Sequence, residues 1–297
     1  MARVIKILFY TIAAIFVIWA FLAIMLASIG LETKRFNPII TEQVKKYNND
    51  LNLDIKKVKV YLHIGIANLK NPKLRISSKN PTLILDKNKI EFKILETEID
   101  IFSYFKNNFV IEDFSFITKD NKINDLISIA ALERPSLIIY NVFIEKGYAN
   151  FYGFLKFDKE GRIKNYKLDG KIKNAELKYN KKYHLKNINF YFTNQKEGTI
   201  INNSEFNYKK IKFLSNEILM HNNTEMANIN GDIRNEKVTI NLKDFKNIFQ
   251  NDFSFIKDQK ITFETKNKFS FKIQKEKIIE LAYTSQIDLK NISLSPE

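Results

Sequence analysis

The sequence predicts a mainly β protein: an N-terminal transmembrane helix, a short amphipathic helix, then an elongated, curved antiparallel β-sheet forming a trough with one or two short helices. Three observations carry this expectation. Residues 7–31 run for 25 positions without a charge. From residue 55 apolar side chains recur with a period of two. These runs do not alternate with helical patterns in the way a parallel α/β sheet requires.

The first element is ILFYTIAAIFVIWAFLAIMLASIGL, which as a helix would extend ~37 Å and cross a bilayer. A secretory signal has an apolar region of only ~7 to 15 residues, and Ala27-Ser28-Ile29 makes a poor cleavage site, so residues 1–35 read as a retained membrane anchor. Arg3 and Lys6 flank one side, Lys34 and Arg35 the other, and this balance leaves the orientation open.

Residues 36–52 carry a helix start: Asn37 as cap, Pro38 in the first turn, then Ile39, Ile40, Val44, Tyr47 and Leu51 on a narrow apolar stripe. A stripe that narrow suits a helix capping the following domain better than one lying on lipid. Residues 53–297 read as one elongated β domain with a sub-boundary near 118–135. In VKVYLHIGI, Val58, Val60, Leu62, Ile64 and Ile66 face one way and Lys59, Tyr61, His63 and Gly65 the other. KFSFKIQ sets Phe269, Phe271 and Ile273 against Lys268, Ser270, Lys272 and Gln274. Further strands are expected at 82–85, 89–95, 136–144, 148–157, 237–242 and 260–265. A helix is expected at 124–133, with a single helical turn at 103–108.

A plain phrase recurs through this region: LKNINF at 185–190, LKNISL at 289–294, IKNAEL at 172–177, IEDFSF at 111–116 and IYNVFI at 139–144. Around Lys173-Asn174 the apolar phase flips, from Leu168 and Ile172 to Ala175, Leu177 and Tyr179. It flips again at Lys290-Asn291. A one-residue shift puts every later side chain on the wrong face unless the strand is bulged. Asn tolerates the backbone such a kink needs. Asn174, Asn187 and Asn291 are therefore strand-kink candidates that keep one apolar face continuous; a turn between two short strands would give the same flip.

Composition narrows the chemistry. The 297 residues are 45% hydrophobic with 25 Phe and 13 Tyr, enough for a sizeable core. The absence of Cys excludes disulfides, thiolate metal sites and a cysteine nucleophile. The net charge of +15 comes almost wholly from lysines spread between apolar residues, with only six Arg among 48 basic residues. Nucleic-acid recognition favours clustered guanidinium groups, so anionic lipid head groups fit this charge better, and no nucleic-acid partner is expected. His63, His184 and His221 stand apart in sequence, Glu96 and Glu98 share a strand rim as solvated carboxylates, and no Gly-x-Ser-x-Gly or nucleotide loop is present. No enzyme activity, cofactor or metal is expected. The lipid-lining candidates are Val58, Val60, Leu62, Ile64, Phe269, Phe271 and Ile273, although the same alternation fills the core of any β-sandwich.

The anchor, FNPII opening a helix, the run LDIKKVKVYLHIGIANLKNPKLRISSKNPTLIL and IDIFSYFKNNFVIEDFSF together resemble the N-terminal part of the AsmA-like family of bridge-like lipid-transfer proteins. Residues 135–192 resemble the repeated strand units of that family. The resemblance implies a single-pass protein of the bacterial inner membrane, anchored through residues 7–31, with its bulk in the periplasm. It also implies a β-trough that conducts phospholipid acyl chains between inner and outer membranes in outer-membrane lipid homeostasis. The alternative is an envelope scaffold, with an outer-membrane or envelope protein partner, that supports outer-membrane biogenesis without carrying lipid. Members of the family commonly run several times longer, so the chain is expected to be a short member, a fragment or one part of an assembly.

Overall fold

The computed structural model of the chain describes residues 2–34, 36–63, 73–100, 111–158, 162–180, 183–222, 226–249, 253, 256–257, 259–274, 277–290 and 292–293. Ile64, Asn291 and the turn expected at 103–108 lie outside the described residues. The fold is mainly β and antiparallel, following an N-terminal apolar helix and a short second helix. Most neighbours in the hydrogen-bonded strand order are also consecutive in the chain. The chain divides into two compact units, residues 1–121 with 151–166, and residues 122–150 with 167–297.

Unit 1 begins with α1 (Ala2–Ser28). Its stretch Tyr10–Ser28, 19 residues of mean hydropathy 2.4 with none buried, is long and apolar enough to cross a membrane. The helix stops at Ser28, three residues before the end of the uncharged stretch. Gly30 turns the chain at φ +72°, and Leu31–Thr33 becomes β1, pairing with β3 (Val58–His63) so that Leu31 lies opposite Val60. A Cβ at Gly30 would stand 2.7 Å from the Tyr61 ring and 3.0 Å from the Val60 carbonyl, so the tight exit from the helix requires glycine.

Helix α2 (Asn37–Tyr47) has Pro38 in its first turn, but Asn37 does not cap it. Its side-chain amide donates instead to the Ile55 carbonyl at 2.7 Å, which ties the helix to the sheet. Ile40 and Val44, with Phe36, pack on a closed core of Leu53, Ile55, Val58, Val60, Ile76 and Ile99. Strands β2 (Leu51–Asp54) and β5 (Thr82–Leu85) form a side ladder that joins β6 (Asn88–Asp100). Beyond β3, the sequence of pairings continues through β4 (Lys73–Lys79), β6 and β7 (Ile111–Thr118).

The short β8 (Asn121–Lys122) leads into unit 2 at α3 (Ile123–Ala130). The strand expected at 136–144 is not there. Pro135–Val142 forms a 3-10 helix, and β9 (Ile144–Phe157) starts after it. The cause is visible in the sequence: Pro135 suits a first helical turn, and Leu137 to Tyr140 are consecutive rather than alternating apolar residues. Asn141 holds the turn against α3 by donating to the Ser128 hydroxyl at 3.1 Å. The phrase IYNVFI is thus no strand kink. A meander of long strands follows: β10 (Ile163–Lys178), β11 (His184–Gln195), β12 (Gly198–Tyr208), β13 (Ile211–Asn222) and β14 (Met226–Asn241). An unanticipated helix, α4 (Leu242–Phe249), precedes β15 (Lys260–Gln274) and β16 (Lys277–Lys290).

Candidate functional site: an open apolar face in unit 2

The strands of unit 2 share a device. In β10, Leu168 and Ile172 lie on the same face as Ala175 and Leu177 because the phase changes at Asn174, in left-handed backbone at φ +49°. The register against β11 shifts between Ile172 and Ala175. In β11 the change falls at Asn187 (φ +52°) and in β12 at Asn203 (φ +50°). Strands β13 and β14 change phase where their registers slip, between Leu214 and Ile218 and between Asn235 and Val238. Each bulge adds one residue and turns the pleat over once. Because neighbouring strands flip side by side, the apolar side chains stay on one face across the meander.

The bulges line up as a polar crease. The Asn174 backbone N–H donates to Asn189 Oδ1 at 2.9 Å, and the Asn189 amide donates to the Asn187 carbonyl at 2.9 Å and to Glu205 at 3.2 Å. Further along, the Thr265 hydroxyl donates to Asn235 Oδ1 at 2.6 Å. Ser204, Ser215, Asn235 and Thr265 are the buried polar residues of the crease.

On one side of the crease the face is sealed. Phe245 of α4, 1% exposed, inserts against Ile211, Ile240, Ile261 and Phe263, with Phe249, Phe253 and Leu289 around it. Its ring meets Phe263 edge-on at 5.0 Å. On the other side lie Phe192, Ile201, Ile218, Ile229, Phe269 and Phe271, in register across β11 to β15 and half-buried. No described helix of unit 2 packs on this half: α4 belongs to the sealed side, and Ile123 of α3 sits against Gly147 and Ala175. The Phe269 ring lies over Gly231, where a Cβ would come within 2.8 Å of it. At the edge, Leu281 and Tyr283 of β16 extend the same face and are each 60% exposed. On the reverse of the sheet, β14 to β16 carry polar pairs, with Ser270 donating to Asn230 at 2.6 Å and Lys272 paired with Glu280, while Ile200 lies opposite Leu219 on β12 and β13.

The lipid-lining candidates therefore divide. Phe269, Phe271 and Ile273 lie on the open half-face. Val58, 0% exposed, and Val60 do not line an open surface; α2 closes over them as core. Leu62 is half-buried opposite Leu74. The sequence reading missed Phe192, Ile201, Ile218 and Ile229, whose apolar alternation was present but interrupted by Asn residues.

No family model, curated protein or solved structure matches this chain.

The structure also joins residues that stand apart in sequence. Glu145, Glu176 and His184 converge across β9, β10 and β11, with His184 Nε2 at 3.3 Å from Glu145 and 3.6 Å from Glu176. Each carboxylate already has an ammonium partner, Lys178 on Glu145 and Lys146 on Glu176, both at 3.0 Å. The Lys178 hydrogen bond holds the Glu145 carboxyl below its usual range. His184 Nε2, between the two carboxylates, is buried without a hydrogen-bond partner among the described residues. In unit 1, Glu98 accepts from Arg75 at 2.8 Å and meets His63 Nδ1 at 2.8 Å. Burial pushes the Glu98 carboxyl up, but the Arg75 hydrogen bond and the His63 charge outweigh it, and it is held below its ordinary value.

Proposed function

We propose that the chain is a membrane-anchored lipid-binding protein of the AsmA-like kind, held by α1 in the bacterial inner membrane with its β units in the periplasm. The half-face around Phe269 and Phe271 shelters phospholipid acyl chains on their way between inner and outer membranes. The observation that carries this reading is the contrast across the crease: one half of a continuous apolar face is closed by α4, and no described helix of unit 2 packs on the other. A sheet face that served only as core would be covered on both halves, because each uncovered apolar Å² forgoes roughly 25 cal/mol. The process requires no covalent chemistry from the protein.

The test uses the full chain with a photo-crosslinking side chain at position 271, at 272 on the opposite face, or at 245 in the sealed core. Irradiation in a diderm host followed by mass spectrometry of adducts should give phospholipid at 271 and none at 245 or 272. A folded protein without adducts at 271 would favour the alternative, an envelope scaffold whose exposed face and β16 edge meet protein rather than lipid.

A further inference from the structure

A second feature of unit 1 has no role in that reading. Lysines gather where three strand ends meet: Lys34 follows β1, Lys57 precedes β3 and Lys79 closes β4. The pair Thr33–Val58 is followed one step on by Lys34 and Lys57, and the pair Val58–Ser78 by Lys57 and Lys79. With Lys56 and Lys59 these residues line an open cleft of about 590 Å³, together with Glu32 and Ser77. Five ammonium groups less one carboxylate leave the cleft at +4. Glu32 is shared between Lys57 at 3.2 Å and Lys59 at 3.7 Å. Lys34, Lys56 and Lys79 have no carboxylate partner among the described residues.

Like charges directly opposite one another on neighbouring strands destabilise a sheet. Glu32 offsets part of this cost at Lys57, 3.2 Å away, but Lys34 and Lys79 have no carboxylate partner among the described residues, and an anion in the cleft would offset the rest. The place of the cleft narrows the choice of anion. Ser77 and Lys79 also line a second cleft that reaches Ala27, in the last turn of α1. Gly30 and β1 then join the end of α1 to the sheet with no intervening linker. A site this close to the end of a membrane-crossing helix sits at the depth of head groups, where each lysine adds to the attraction of an anionic surface.

We propose that the Lys34-Lys57-Lys79 cleft binds the phosphate of an anionic phospholipid head group in the leaflet that α1 enters. This rests on reading α1 as an anchor but not on the lipid-carrying face. The site would fix the protein at an anionic surface, through charge alone.

The experiment is a titration of the full chain in neutral-detergent micelles with phosphatidylglycerol or phosphatidylcholine, for the wild type and for the triple variant K34Q/K57Q/K79Q. Phosphatidylglycerol should bind roughly tenfold or more tightly than phosphatidylcholine in the wild type, and the triple variant should lose that preference. Binding should weaken as salt is raised. The triple variant removes lysine repulsion together with the Lys57–Glu32 ion pair, so it should unfold close to the wild type; if it fails to fold, the salt dependence of the wild type decides. Equal binding of the two lipids, a preference that survives the triple substitution, or insensitivity to salt would overturn the proposal. Displacement by inorganic phosphate at equal concentration would make free phosphate the ligand and overturn the head-group assignment. The adducts at position 271 do not depend on head-group charge, so loss of one result leaves the other standing. A chain that stays in the supernatant when membranes are pelleted would instead remove the anchor.

Discussion

At residue scale, the crease depends on side chains that tolerate left-handed backbone. Asn174 and Asn187 both occupy it, and a residue that has a Cβ but no short polar side chain to hydrogen-bond locally loses about 1–2 kcal/mol there. Asn187→Ala should therefore lower stability by roughly 1 kcal/mol or more in urea denaturation, while Asn187→Gly should cost less. Equal costs for the two would mean that the left-handed turn is not what the asparagine provides. The Glu98 cluster sets a pH dependence in unit 1. Its carboxyl is depressed in the folded state relative to its ordinary 4.5. A depressed acid stabilises the fold fully above that ordinary value, and the contribution is lost as pH falls through the folded value. Thermal melts should show unit 1 weakening below about pH 4.5, and Glu98→Gln should flatten that part of the profile. A profile equally steep in the variant would place the acid sensitivity elsewhere.

Among elements, α4 decides which half of the face is open. Asn241 caps it by accepting from the Asp244 N–H at 2.7 Å, and Leu242, Phe245 and Phe249 repeat at helical spacing. That signal was in the sequence, but KVTINL just before it reads as a strand, which it is, and the helix follows without a separating glycine or proline. Phe245→Ala should cost about 3–5 kcal/mol, because it empties the centre of a closed aromatic cluster. Phe271→Ala, on the half-buried side, should cost roughly 1 kcal/mol by denaturant titration. If both substitutions cost the same, the two halves are equally packed, and the lipid reading loses its basis. The 3-10 helix at Pro135–Val142 makes the opposite point: an apolar run that predicts a strand over 136–144 folds as a helix up to Val142, with Pro135 in its first turn.

Across the whole molecule, nearly every long strand pairs with the next in the chain, so the antiparallel order follows from hairpin connections that a sequence can suggest. The apolar helix at the N-terminus is the other molecule-wide feature. With residues 2–28 present, the chain should stay with membranes through a carbonate wash, and without them it should be released, as followed by immunoblot of the two fractions. Release of the intact chain would remove the anchor from any account of its function.

The sequence by itself determined the features that arise within a few residues. These are the apolar helix, the period-two strands, and the phase flips at Asn174 and Asn187, each a steric consequence of neighbouring residues. Tertiary structure alone decided which apolar residues are core and which are surface. Val58 and Phe271 carry the same alternation, yet α2 folds over one and no described helix of unit 2 reaches the other. It also brought Lys34, Lys57 and Lys79 into one row and Glu145, Glu176 and His184 into one cluster. Burial and proximity of this kind depend on which distant segments come together, and no local pattern encodes that.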